Sequence, residues 1–237
     1  MCANYVPVTR LERLKAYFAA GHLPPFPEET FPAMLAPFVR RAGGGVDFER
    51  ELELGLFGLL PHWAKDASFA RRTYNARSES AAAKPSFRDA WMRGRRCIVP
   101  CEAIFEPRWE AGRAVRWRIA RRDEQPIGIA GLWSAWHAPG GARQLSFTML
   151  TVNADAHPLM RQFHKPGEEK RMVAIVEADR YDAWLHAPPE HMRDFLSCYP
   201  AEALHAEPAP LTPRQPTTQR PAGGMADDGN ATLPLFE

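Results

Sequence analysis

No apolar run in this 237-residue chain approaches the roughly 18 residues that a membrane-crossing helix needs, so no membrane partner is expected. The start, Met1-Cys2-Ala3-Asn4, lacks the basic segment and apolar stretch of a secretory leader. A cytoplasmic protein with reduced thiols is therefore the expectation. Cysteine is scarce: Cys2, Cys97, Cys101 and Cys198 are too few to staple a chain of this length. Cys97 and Cys101 are separated by three residues with no second pair of Cys or His at ligand spacing, so neither zinc nor another cofactor is implied. Both read as buried strand thiols. Lysine is also rare, 5 residues against 25 Arg, so positive charge sits almost wholly on guanidinium groups. The net charge is only +2 and excludes no partner class. There is no internal repeat, and the 45% hydrophobic content rules out wholesale disorder.

The length fits one domain or two small ones. Thr9-Arg10-Leu11-Glu12 matches a capping box, and Leu11, Leu14, Tyr17 and Phe18 then share one helical face. That helix should end near Gly21, with a Pro-rich loop over 22–37. Residues 52–60 read as a bent strand, and 97–105, 115–120, 126–133, 145–152 and 172–177 as further strands. Pro139-Gly140-Gly141 marks a turn. Two short helices are expected over 179–186 and 189–197. Together these predict an α+β, mainly β, single domain, 1–199, with a bent, barrel-like antiparallel sheet and peripheral helices. From Pro200 the chain carries seven prolines among Ala, Thr, Gly and Asp, so 200–237 is expected to be a disordered tail.

Charge is uneven. Residues 69–122 hold 14 basic and five acidic side chains, a net of +9 on a nearly neutral protein. This suits a local polyanion site, or equally a solvated arginine-rich face. Cys2 would become N-terminal if Met1 were removed. Its amine (pKa ~7.7–8.0) and thiol (pKa ~8.5) would both be partly deprotonated near neutrality. Such an aminothiol attacks carbonyls, as an N-terminal nucleophile on an amide or by closing a thiazolidine on an aldehyde. Residues 74–80, Tyr-Asn-Ala-Arg-Ser-Glu-Ser, offer the Asn75 amide and the bidentate Arg77 fork. Glu106 ends the apolar run Ala103-Ile104-Phe105, a desolvated setting that suits acid/base work. His157 and His164 flank a short segment before a charged loop, and either could move protons. Trp63, after Pro61-His62, is the tryptophan best placed by sequence to stack on an unpaired base.

In this order, with this spacing, Met-Cys, Asn-Ala-Arg-Ser-Glu, the strand-end Phe-Glu and a His before Arg-Met resemble the SOS-response-associated peptidase (SRAP) family. The likeness runs over about residues 2–186 and includes Leu60-Pro61-His62-Trp63 and Arg96-Cys97-Ile98-Val99-Pro100. The resemblance implies a sensor of abasic sites in single-stranded DNA that forms a thiazolidine crosslink through Cys2, with lyase activity and peptidase activity on its own Met1. By the same resemblance Asn75 holds the Cys2 amine and the sugar, and Glu106 is the general acid/base. His164 protonates the sugar-ring oxygen, and Arg77 and Arg171 grip flanking phosphates. The family often begins Met-Cys-Gly-Arg where this chain has Ala3-Asn4. Its glutamate is commonly followed by an aromatic where Pro107 stands. Its His-x-Arg-Met is expanded between His164 and Arg171-Met172, leaving His157 as a rival for the histidine role. Two other readings stay open: an N-terminal-nucleophile peptidase acting on proteins, and a non-covalent single-strand binder. The terminal Leu233-Pro234-Leu235-Phe236 looks like peptides that dock in the bacterial sliding clamp. A monomer is expected.

Overall fold

A computed structural model describes residues 2–18, 24–43 and 49–211. Among them are strands β1 (Asn4–Pro7), β2 (Leu35–Arg41), β3 (Arg50–Phe57), β4 (Asn75–Arg77), β5 (Arg96–Glu110) and β6 (Arg113–Arg121). The series continues with β7 (Ile127–His137), β8 (Arg143–Asn153), β9 (Arg171–Val173), β10 (Ile175–Val176) and β11 (Leu204–Pro208). Helices α1 (Leu11–Phe18), α2 (Pro85–Met92) and α3 (Tyr181–His186) lie outside the sheet.

The pairings β5–β7, β7–β8, β8–β3, β3–β2 and β2–β5 return to their start, so five strands close a barrel. Closure gives each of these strands a partner on both sides, although β2 meets β5 only at Val39 and Arg40 and β3 meets β8 only at Leu56 and Phe57. It also buries strands on both faces: all eight residues from Leu145 to Val152 of β8 are buried, including the polar Ser146, Thr148 and Thr151. Phe38, Phe57 and Phe147, from β2, β3 and β8, stack at 5.5–5.6 Å, and Tyr5 of β1 meets Phe57 edge-on at 5.2 Å. At Gly131 of β7 an added Cβ would lie 2.5 Å from the Thr148 carbonyl oxygen and 2.8 Å from Cys97 Sγ, so only glycine permits this strand crossing. α3 docks on β5 through Trp184, whose indole N–H donates to the Cys97 carbonyl at 2.9 Å.

The mainly β barrel agrees with expectation, with corrections. Two pairings, β3–β8 and β4–β8, are parallel. The Pro-rich segment 22–37 is not loop throughout, because β2 begins at Leu35. Its Pro37 lies where β2 pairs with β3 alone, while contact with β5 is confined to Val39 and Arg40, so the missing N–H costs no second ladder. Residues 189–197 form only a 3₁₀ turn, Met192–Phe195. The fold also passes the boundary at 199: β11 pairs antiparallel with β6 and buries Leu204. The terminal Leu-Pro-Leu-Phe lies outside the described residues.

Candidate functional site

β1 runs antiparallel to β5 with Asn4 opposite Phe105 and Tyr5 opposite Ile104. Cys2, two residues before β1, lies beyond that ladder, close enough to Glu106 for the carboxylate charge to act on its thiol. Glu106 does not end its strand as the sequence suggested. β5 continues through Pro107 to Glu110, and the proline contributes its carbonyl, which accepts from His164 N–H at 2.7 Å. That bond and the Arg108–Phe163 bridge fix the loop, where His164 adopts a left-handed φ of 61°. A non-glycine residue held in this region stores strain, which persists only where neighbours enforce it. Here the turn swings the imidazole onto Glu106: Nε2 lies 2.9 Å from Oε2, with both side chains almost fully buried.

Asn75 arrives from the other side. β4 pairs in parallel with β8, Asn75 opposite Met149, and Asn75 Nδ2 donates to the Cys2 carbonyl at 2.6 Å. Cys2 itself is 1% exposed, and its thiol donates to the Asn4 carbonyl at 3.4 Å. Burial, and next the Glu106 charge, push the thiol pKa well above its ordinary value, so the resting sulfur is neutral. Four groups that sequence reasoning named, Cys2, Asn75, Glu106 and His164, thus meet from four separate elements. Two buried polar atoms, Asn75 Oδ1 and His164 Nδ1, have no protein partner and offer hydrogen-bonding capacity to a polar guest.

His157 is a different kind of histidine. Its Nδ1 accepts the Leu159 and Met160 amides at 3.2 and 3.0 Å, so the ring is neutral and Nε2 donates to the Tyr199 carbonyl at 2.7 Å. It caps a turn. Of the two histidines, His164 is the one beside Glu106.

The outer groups are less uniform. Arg77 is half exposed, with Nη1 2.8 Å from Glu169. Arg171 departs from the expected phosphate grip. Its guanidinium is buried and divided between both Glu79 oxygens (2.6 and 3.0 Å), Glu169 (2.7 Å) and the Thr151 carbonyl (2.7 Å). The reason is topological: the half of β8 that follows Met149 lies between β4 and β9, so an arginine on β9 falls beside the acids near β4. Hydrogen bonds from Arg171 hold the Glu169 carboxyl below the usual range. At Glu79 burial opposes ionisation, but the same cation outweighs it. Trp63 is 45% exposed and meets Phe69 edge-on at 5.1 Å beside a 280 Å³ hollow that also includes Lys65 and Arg72. It shares no hydrogen bond or ring contact with the Cys2 cluster. Among the described residues, no three His, Cys, Asp or Glu side chains converge on a metal position.

The family model described as "SOS response associated peptidase (SRAP)" matches residues 1–211. The chain belongs to the SRAP family. Its match runs to 211 and so includes β11. The abasic site processing protein YoqW of Bacillus subtilis is 29% identical over 154 residues, 63% of this chain and 65% of YoqW. The abasic site processing protein HMCES of Xenopus tropicalis is 25% identical over 185 residues, 68% of this chain and 52% of HMCES. The matches thus span less than two thirds of these relatives. A crystal structure of a Bordetella bronchiseptica protein has 40% identity and a TM-score of 0.82, covering 89% of this chain and all of that one. One from Bacteroides thetaiotaomicron, at 21% identity and TM-score 0.76, shares the fold.

Two neighbours of this cluster were not singled out from the sequence. Tyr74 is half-buried against Phe57, and burial raises its hydroxyl pKa. Thr151 is buried and accepts from Arg171. Adjacency to Asn75 was the only available signal for Tyr74, and Thr151 had none.

Proposed function

We propose that this chain processes abasic sites in single-stranded DNA, with Cys2, freed at its α-amine by loss of Met1, closing a thiazolidine on the ring-opened deoxyribose aldehyde. The observation that carries this reading is the buried Glu106–His164 pair set beside Cys2, whose backbone Asn75 holds. The likeness to the abasic site processing proteins YoqW and HMCES supports the substrate class.

The chemistry balances with these groups alone. His164 gives a proton to the sugar-ring oxygen as its bond to the anomeric carbon breaks, while the anomeric hydroxyl passes its proton to Glu106, leaving the aldehyde. The Cys2 amine adds to the aldehyde carbon, and Glu106 relays protons as the carbinolamine loses one water to give an imine. The thiol then adds across the C=N bond, sulfur to carbon and its proton by way of Glu106 to nitrogen. A neutral resting thiol fits this order, since sulfur acts only after the imine has formed. The same imine permits β-elimination, the lyase reaction, and the crosslink shields the lesion within a damage response such as the SOS response. The peptidase activity is removal of the chain's own Met1. Arg77 and Trp63 contact phosphate and base outside this centre. The terminal Leu-Pro-Leu-Phe docks to a sliding clamp, and the protein acts as a monomer.

The test is a denaturing gel with single-stranded oligonucleotides, intact or abasic. A shifted band with abasic DNA alone, lost in Cys2→Ala, is the expected result. Salt-sensitive native shifts without a covalent band would overturn the proposal in favour of a non-covalent binder.

A further inference from the structure

We propose that Arg116 is a positioning residue for Cys2, and that the C-terminal strand acts on the site through it. The proposal rests on the reading of Cys2 as the crosslinking group. Arg116 sits on β6 opposite Pro107, and its fork reaches across β5 to the start of β1. Nε and Nη2 both donate to Asn4 Oδ1, at 3.1 and 2.6 Å, while Nη2 also pairs with Glu29. Nη1 donates to the Ala209 carbonyl at 3.2 Å, and Ala209 N–H returns a bond to the Arg116 carbonyl at 2.9 Å. The guanidinium lies 3.3 Å from the centre of the Phe105 ring, next to Glu106.

One cation therefore ties together four parts of the chain: β1, the segment at Glu29, β5, and the residue following β11. Asn4 is the pivot. Its amide also donates to the Thr30 carbonyl at 3.2 Å, and its own carbonyl accepts the Cys2 thiol. The two residues before β1 have no ladder partner on β5, so the Asn4 anchor sets where Cys2 meets Glu106. Lysine cannot replace this fork, because a single ammonium lacks the planar set of donors that serves Asn4, Glu29 and Ala209 together. Loosening the anchor displaces the nucleophile, and a displacement of about 1 Å costs roughly 10²-fold in rate.

The experiment compares the full-length wild type, Arg116→Gln, Arg116→Lys and Ala209→Pro, the last removing the N–H that Ala209 donates to the Arg116 carbonyl while keeping the carbonyl that accepts Nη1. At saturating abasic oligonucleotide, covalent capture is expected to slow about 10- to 100-fold in Arg116→Gln. Arg116→Lys and Ala209→Pro should fall between it and wild type, with half-saturating DNA concentration unchanged within about twofold. Iodoacetamide labelling, read by peptide mass, supplies an independent readout. Cys2 should label at least about 10-fold faster in Arg116→Gln while Cys97 and Cys101, fully buried in β5, stay protected. Unchanged Cys2 labelling and capture overturn the clamp. Labelling of all three thiols reveals general unfolding and overturns it also. A wild type that captures no abasic DNA sinks the underlying function instead, and the labelling pattern still decides the clamp.

Discussion

The inner and outer halves of the site are built on opposite principles. Cys2, Glu106 and His164 are more than nine-tenths buried, and each is fixed by strand register or by a backbone bond. Arg71, Arg72, Arg77 and Trp63 are exposed, and Arg77 already has an internal acid as partner. Rigid, water-poor geometry favours bond-making, where angles and proton positions decide the rate. An exposed cationic rim suits the proposed contact with a backbone whose sequence does not matter. The comparison predicts that inner substitutions change rate with little effect on affinity, and outer ones the reverse.

The largest effect is expected from Cys2→Ala, which should abolish the covalent band while native-gel affinity for intact single strands is kept. Glu106→Gln should follow, with capture slowed about 10²–10⁴-fold, the range typical of losing a general acid/base, measured at saturating DNA. Arg171→Leu probes the seam between the halves. It removes the buried cation from Glu79 and Glu169, leaving Glu169 to Arg77 and Asn153, and should cost about 2 kcal/mol, about 4–8 °C in melting temperature, with a loss of capture through displaced β4. Arg77→Ala should weaken binding by a few fold and reduce the salt slope by about 0.7, leaving the rate at saturation near wild type. If Arg77→Ala changed rate alone, the division between the halves would fail.

The smallest effect concerns alkaline pH. Burial raises the thiol pKa of Cys97 and Cys101 well above ordinary, and Tyr199 is pushed up to about 12 by burial against the pull of Arg121. The unfolded chain releases thiol protons from about pH 8.5, where the fold still retains them. Stability is therefore undiminished below that pH and declines as pH rises above it. Melting temperature should be level from pH 7 to about 8.5 and fall steadily towards 10.5, and a rise would contradict the assignment.

Legibility followed the same division for a physical reason. The long strands β5 to β8 could be read because β-branched and aromatic residues run through them, and α1 because Thr9 and Glu12 bracket its start. β1, β2 and β11 could not, since each is short and carries a proline that it tolerates only through tertiary context, whereas the 15-residue β5 is long enough to be read despite Pro100 and Pro107. Pro7 falls at the register shift of β1, Pro37 where β2 pairs with β3 alone, and Pro208 at the last position of β11. Glu106 and Cys2 were visible as chemistry but not as neighbours, because 104 positions separate them and only the β1–β5 register brings them together. Arg171 misled because nothing in an Arg-Met string reveals that Glu79, far away in the chain, takes up its guanidinium. Arg116 was counted only as one positive charge among 14. Its reach to Asn4 and Ala209 exists only once β11 is paired with β6.

Intact mass of the protein after reaction with a single-stranded abasic oligonucleotide tests the central claim most directly. The account predicts a chain lacking Met1, joined to one oligonucleotide with the loss of one water, and with the joined peptide mapping to Cys2. A protein that keeps Met1 and still captures the oligonucleotide, or an adduct mapping to any residue other than Cys2, would contradict it.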